Sequence, residues 1–195
     1  MNKIIIVMGP PGCGKGTQAK KLSEHFSLPH ISTGDLFRDA LAHETPIGLK
    51  AKSYMEKGEF VPDEVTEALL QSRLEDGDCA KGFILDGFPR TVPEAEFLEG
   101  FLDAQNLGIA AVLDYELPDA VVIERIQGRA QHDKEAGKHV REDDLKDDVI
   151  KKRIAVYHEE TEPVISFYKA KDLVFPIDAT HDVETIFQES LKDIN

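Results

Sequence analysis

A short apolar run that stops at a glycine-rich loop constrains this chain more than any other feature. Lys3-Ile4-Ile5-Ile6-Val7-Met8 is unbroken and rich in β-branched residues, and Gly9-Pro10-Pro11-Gly12-Cys13-Gly14-Lys15-Gly16-Thr17 follows directly. A strand without polar alternation is one buried on both faces, as in a parallel sheet. Ala19, Leu22 and Phe26 then recur at helical spacing, which predicts a helix from about Lys15 to His25. The loop between them has the G-x-x-x-x-G-K spacing of a phosphate-binding loop. Its glycines let several backbone N–H groups turn inward on a phosphate, and the helix N-terminus adds partial positive charge. Lys15 adds a full charge. The position after the lysine usually carries a hydroxyl that holds magnesium, but here it is Gly16, and the hydroxyl comes at Thr17. Mg2+ is therefore expected on the nucleotide phosphates and on water, with no direct protein ligand. Asp86, at a strand end, is placed to hold such waters.

The remaining chain alternates in the same way. Strands are predicted at Phe83 to Asp86, Ala111 to Tyr115 and Leu173 to Ile177, with a weaker one at His30 to Ser32. Helices are predicted from Asp119 to Gly128 and from about Leu145 to Lys169, where Ile150, Ile154 and Tyr157 share a face and Pro163 should kink or divide the run. Such alternation implies an α/β fold, a parallel sheet covered on both faces. Two regions stand apart. Thr33 to Glu75 is mostly helical and reads as an inserted lobe. Gly128 to Val140 is polar and reads as a mobile surface loop.

Composition limits the function. A formal net charge of -14 over 195 residues argues against nucleic acid as a partner, although basic groups focused in one cleft can still hold a phosphate. Cys13 and Cys79 form no disulfide framework, which fits a reducing cytoplasm, and they cannot supply a four-cysteine zinc site. The apolar start is too short for a membrane span or an ordinary signal peptide core. Cys13 inside the loop reads as filler rather than as a redox switch.

Arginine recurs near loops and strand ends: Arg38 after Ser32-Thr33-Gly34-Asp35, Arg90 in Asp86-Gly87-Phe88-Pro89-Arg90, then Arg125, Arg129, Arg141 and Arg153. Phosphoryl transfer asks mainly for two anionic substrates held in line with their charge neutralised. Arginine stays charged and binds phosphate oxygens in pairs.

With these motifs in order along nearly the whole chain, together with Thr161-Glu162-Pro163-Val164-Ile165, the sequence resembles adenylate kinases and close nucleoside monophosphate kinases. The resemblance implies a P-loop kinase fold: a five-stranded parallel sheet with helices on both faces, in a core of residues 1–31, 62–127 and 141–195. It also implies a monophosphate-binding lobe at 32–61 and a short lid at 128–140, without zinc. By similarity, Gly12, Cys13, Gly14, Lys15, Gly16, Thr17, Arg125, Arg129 and the backbone near His181 bind ATP. Thr33, Arg38, Glu59, Phe60, Val61, Gly87, Phe88, Pro89, Arg90, Glu94, Arg141 and Arg153 belong to the AMP side. Lys15, Arg90, Arg129, Arg141 and Arg153 stabilise the transferring charge. The implied enzyme is a cytoplasmic monomer that moves the γ-phosphoryl group of MgATP to AMP, with no nucleic-acid or membrane partner.

The sequence departs from the family pattern at two places. The interval from Arg141 to Arg153 is one residue longer, which asks for a local bulge. Glu94 stands where adenylate kinases usually have glutamine. An ionised carboxylate facing the adenine N1 lone pair costs roughly 1–3 kcal/mol, whereas guanine offers it two donors; either GMP is used better here than in a typical relative, or Glu94 turns aside or reaches adenine through water. The alternatives are a UMP/CMP or broader-acceptor kinase and, from another class, a P-loop switch without turnover. The segment Thr91 to Ala95 lacks the asparagine-rich pattern of pyrimidine acceptors, and no Asn-Lys-x-Asp guanine signature occurs.

Overall fold

The computed structural model describes residues 3–138, 140–192 and 194. Residues 1, 2, 193 and 195 of the expected core and residue 139 of the expected lid lie outside the described residues. Strands β1 (Lys3–Met8), β2 (His30–Ser32), β3 (Gly82–Asp86), β4 (Ile109–Glu116) and β5 (Val174–Asp178) form one sheet in the order β2-β3-β1-β4-β5. Every pairing is parallel. Pro176 lies in the edge strand β5, where a missing N–H costs no ladder bond on the open side.

The apolar run at the start of the chain explains the layering. Side chains alternate across a strand, so Ile5 and Val7 enter one core while Ile4, Ile6 and Met8 enter the other. The first core is closed by α1 (Lys15–Phe26), α6 (Asp119–Glu135), α7 (Asp147–Val156) and α9 (Val183–Lys192). The second is closed by α4 (Asp63–Leu74), α5 (Val92–Asp103) and α8 (Glu162–Lys169). Helices α2 (Thr33–Ala42) and α3 (Pro46–Met55) share a small third core with α4, in which Phe37, Ala51 and Val61 are buried with Tyr54, Met55, Val65 and Leu69 against them. The chain leaves β1 toward β2 and leaves β4 toward β5, so the connections diverge above the carboxyl ends of the central strands. In open α/β sheets such a divergence opens a crevice for ligands.

Two expectations require correction. The segment after Gly128 is not a loop: α6 runs on to Glu135. One glycine costs a helix only about 1 kcal/mol, and Arg129, Ala130, Gln131, Lys134 and Glu135 all favour helix, with Gln131 donating to Glu135 at 2.9 Å. The helix stops at Gly137, whose φ of +64° suits the left-handed terminating position. The run from Leu145 to Lys169 is divided near Pro163, as expected, but it starts later. A 3-10 turn covers Glu142–Asp144, and α7 begins only at Asp147. A π turn at Tyr157–Thr161 then separates α7 from α8. Pro163 sits in the first turn of α8 and has no N–H to continue the ladder. Just before it, the Glu162 N–H reaches back five residues to the Tyr157 carbonyl.

Asp114 is a buried polar residue of β4, 3% exposed, and its Oδ1 has no hydrogen-bond partner among the described residues. Burial, helped by the nearby Glu116 charge, pushes its carboxyl up to about 6. Folding therefore favours its neutral form. The stability this residue allows is complete below the unfolded value near 4 and falls as pH rises to about 6. In urea unfolding, Asp114→Asn is expected to gain about 2 kcal/mol on the native chain between pH 4 and pH 7; a pH-independent difference contradicts this account.

Candidate active site

The loops that leave β1, β2 and β3 at their carboxyl ends surround a cavity of about 640 Å³, within the usual size for a small-molecule site. Gly9 and Gly12 have φ of +133° and +79°, which favours glycine. A Cβ on Gly12 would also stand 2.9 Å from Cγ1 of Ile126, so the loop packs too closely on α6 for a side chain. Lys15 opens α1. Its ammonium donates to the carbonyls of Gly9 and Pro10, each at 2.8 Å. Gly16 faces Asp86: a Cβ there would lie in ordinary contact, 3.4 Å from Asp86 Oδ2.

The cavity brings together Lys15, Arg38, Arg90, Arg125, Arg129, Arg141 and Arg153 from the β1 loop, α2, the β3 loop, α6, the segment before the 3-10 turn, and α7. It also has Gly12, Gly14, Gly16, Thr17, Thr33, Glu59, Phe60, Val61, Asp86, Gly87, Phe88, Pro89 and Glu94 on its walls. Arg141 and Arg153 reach the same cavity, with the 3-10 turn Glu142–Asp144 in the interval between them. Two of the expected residues do not line it. The Cys13 side chain is buried in the core, 2% exposed, although its carbonyl accepts from Arg125 at 3.4 Å. His181 is on the surface, near Asp178 and Glu189.

Close cations repel, and the site shows it. Burial, and after it Arg153 and Arg38, pull the Arg90 guanidinium below its ordinary value, against the opposing charges of Glu94 and Asp86. Burial likewise lowers Arg141, with Arg38 and Arg129 adding to the effect. Arg90 is held by donating Nε–H to the Gly87 carbonyl at 2.7 Å and lies over the Phe60 ring. Thr33 donates to the same carbonyl, and Thr161 donates to the Arg90 carbonyl at 3.0 Å. Lys152 of α7 donates to Glu59 at 2.6 Å, which ties the segment after α3 to α7.

The sequence reading missed the acidic partners. Asp144, with its side chain 1% exposed, accepts from Arg129 Nε and Nη2 and from Arg153 Nη1 at 2.6–2.9 Å. Asp143 lies 2.9 Å from Arg153, and Asp35 pairs with Arg38. The run Glu142-Asp143-Asp144 has no periodicity to distinguish it from a solvated turn, so nothing local marks Asp144. His30 was also missed: it lines the cavity, and its Nε2 lies 3.4 Å from Asp86 Oδ2 without hydrogen-bond alignment. Among the described residues, no group of three or more His, Cys, Asp or Glu is arranged to hold a metal, and no helix is long and apolar enough to cross a membrane.

Asp144 holds two arginines at once, so removing its charge leaves both without their main partner. Asp144→Asn is expected to lose about 1–3 kcal/mol in urea unfolding, below the fully buried case because the arginines are partly solvated. An unchanged midpoint contradicts this role.

Comparison with known proteins agrees with this geometry. The family model described as adenylate kinase matches residues 7–173. An adenylate kinase of Clostridium novyi is 44% identical over 94% of this chain and 94% of its own length. One of Methanosarcina barkeri is 43% identical over 95% of each, and one of Archaeoglobus fulgidus is 42% identical over 95% of this chain and 94% of its own. The phosphate-binding loop, the arginine-lined cavity and these near full-length matches converge on one conclusion: the chain belongs to the adenylate kinase family, with its P-loop kinase fold and phosphotransferase activity.

Proposed function

We propose that the cavity holds MgATP and AMP end to end and that the enzyme moves the γ-phosphoryl group between them, giving two ADP. The observation that carries this reading is the convergence of Lys15 and the arginines on one cavity together with the phosphate-binding loop. Cations that repel one another when the cavity holds no anion bind phosphates with their mutual repulsion relieved. The relatives' shared name supports AMP as acceptor.

In this reading the backbone from Gly12 to Thr17 cradles the ATP phosphates, and Lys15 leaves the Gly9 and Pro10 carbonyls for them. Arg125 and Arg129 approach ATP from α6. An oxygen of the AMP phosphate attacks the γ-phosphorus as the bond to the β,γ-bridging oxygen breaks, so no general base is needed. Arg90, Arg141 and Arg153 neutralise the charge that spreads over the transferring group. Thr33, Arg38, Glu59, Phe60, Val61 and Gly87 to Arg90 hold the acceptor.

Asp86 lines the cavity and would hold waters of a magnesium ion that is itself bound to the nucleotide phosphates. The ion arrives with ATP and neutralises phosphate charge. Residues 32–61 act as one moving part and residues 128–140 as the other, closing over the substrates to exclude water. The shortness of the second part follows from α6 ending at Glu135 and the chain reaching Arg141 a few residues later.

Lys15→Ala is expected to lower turnover at least about 100-fold while the melting temperature stays within a few degrees, because the ammonium's partners are loop carbonyls rather than the core. Near-normal ADP formation from ATP and AMP by that variant overturns the mechanism.

A further inference from the structure

One carboxylate on the cavity wall breaks the pattern of cations. Glu94 lies in the first turn of α5 and is 3% exposed. Thr91 caps that helix by accepting the Glu94 N–H at 3.2 Å. Glu94 Oε2 accepts the Arg90 backbone N–H at 2.6 Å, which fixes the side chain much as a reciprocal cap does. That bond uses one oxygen. Oε1 has no hydrogen-bond partner among the described residues and is not one of the sealed, orphaned buried atoms, and Glu94 lines the cavity. Oε1 is thus the oxygen left for a ligand.

The surroundings identify which part of a nucleotide meets it. Thr91 donates to Asp63 at 2.8 Å. This tie joins the first turn of α5 to the segment carrying Val61 and Thr66, which also line the cavity. Met55 and Val61 belong to the apolar cluster shared by α2, α3 and α4. Apolar side chains beside a fixed carboxyl oxygen suit the edge of a flat heterocycle better than a phosphate, which a carboxylate would repel.

Resting on the phosphotransfer reading above, we infer that Glu94 selects the acceptor base through the proton it carries on Oε1. As a neutral acid it donates Oε1–H to a ring nitrogen with a lone pair, such as adenine N1. As a carboxylate it accepts from a ring nitrogen that bears hydrogen, such as guanine N1. A glutamine here would give its carbonyl oxygen to the Arg90 N–H and present its NH2 as a donor; a carboxyl group can present either form.

Both forms are available near neutral pH. Burial pushes the Glu94 carboxyl up to about 7, with the Arg90 N–H and guanidinium and the adjacent Thr91 N–H opposing and the Asp63 charge adding to the rise. Arg90 from the β3 loop and Asp63 from α4 are the charged groups that act on it. Arg38 of α2, Arg153 of α7 and Asp86 of β3 act on Arg90 instead. The neutral fraction therefore falls from about nine-tenths at pH 6 to about one-tenth at pH 8.

The test measures kcat/KM for AMP and for GMP at saturating MgATP from pH 6 to pH 8, in the native chain and in Glu94→Gln. Titration of the phosphate is common to both acceptors and cancels in the ratio. Because AMP follows the neutral fraction and GMP the ionised one, the AMP:GMP ratio is expected to fall about 100-fold across this range in the native chain. In Glu94→Gln it should stay flat, at or above the native value at pH 6. A flat native ratio, or the native slope persisting in the variant, overturns the inference. Calorimetry of AMP binding to the native protein at pH 8, in two buffers of different ionisation enthalpy, should show proton uptake; no uptake overturns it without reliance on the variant. Absence of AMP phosphorylation at every pH overturns the phosphotransfer reading itself, whereas good AMP turnover with a pH-independent ratio overturns only the role of Glu94.

Discussion

The burial of β1 on both faces is the constraint on which the rest of the structure depends. Ile4, Ile5, Ile6, Val7 and Met8 are at most 3% exposed, so helices must cover the sheet on each side. With β1 central and every neighbour parallel, the strands end on one edge. Gly9, Thr33 and Gly87 follow directly from β1, β2 and β3 there. Anion-binding loops and arginine-bearing elements are thereby stacked around one cavity. The tight approach of Gly12 to Ile126 extends the same packing to α6, which carries Arg125 and Arg129.

A second constraint is electrostatic. The chain as a whole is strongly acidic, yet its cavity concentrates cations, and Arg90 and Arg141 are lowered first by burial and further by the arginines around them. Carboxylates hold part of this charge in place: Asp144 for Arg129 and Arg153, Asp35 for Arg38. Because these pairs are local, the acidic surface does not cancel the attraction for phosphate inside the cleft. Such an arrangement is pre-organised for a ligand with many anionic oxygens, and for a transition state in which charge spreads over them.

Much of this was legible in the sequence, and the limits follow from the range of the forces involved. The phosphate-binding loop was readable because its glycines, lysine and flanking periodicities all act within about twenty residues. The two cores were implied by the unbroken apolar run. The extent of α6 was misread because a polar stretch with one glycine looks like loop when only hydrophobicity is scored, whereas helix propensity and an i,i+4 pair carry it to Glu135. The division of residues 145–169 was expected at Pro163, but its form, a π turn, depends on which carbonyl the Glu162 N–H finds.

By itself, then, the sequence determined the strand–loop–helix start, the parallel α/β class and the presence of a phosphate site, since each depends on neighbours along the chain. Only the tertiary structure decided which arginines share a cavity, that Asp144 holds two of them, and that Cys13 and His181 contribute no side chain to it. Those outcomes depend on pairs brought together from different elements. Glu94 combines both kinds of information. Its identity is local and visible, but its burial, its bond to the Arg90 N–H and its free Oε1 come from the packing of α5 against α4 and the β3 loop.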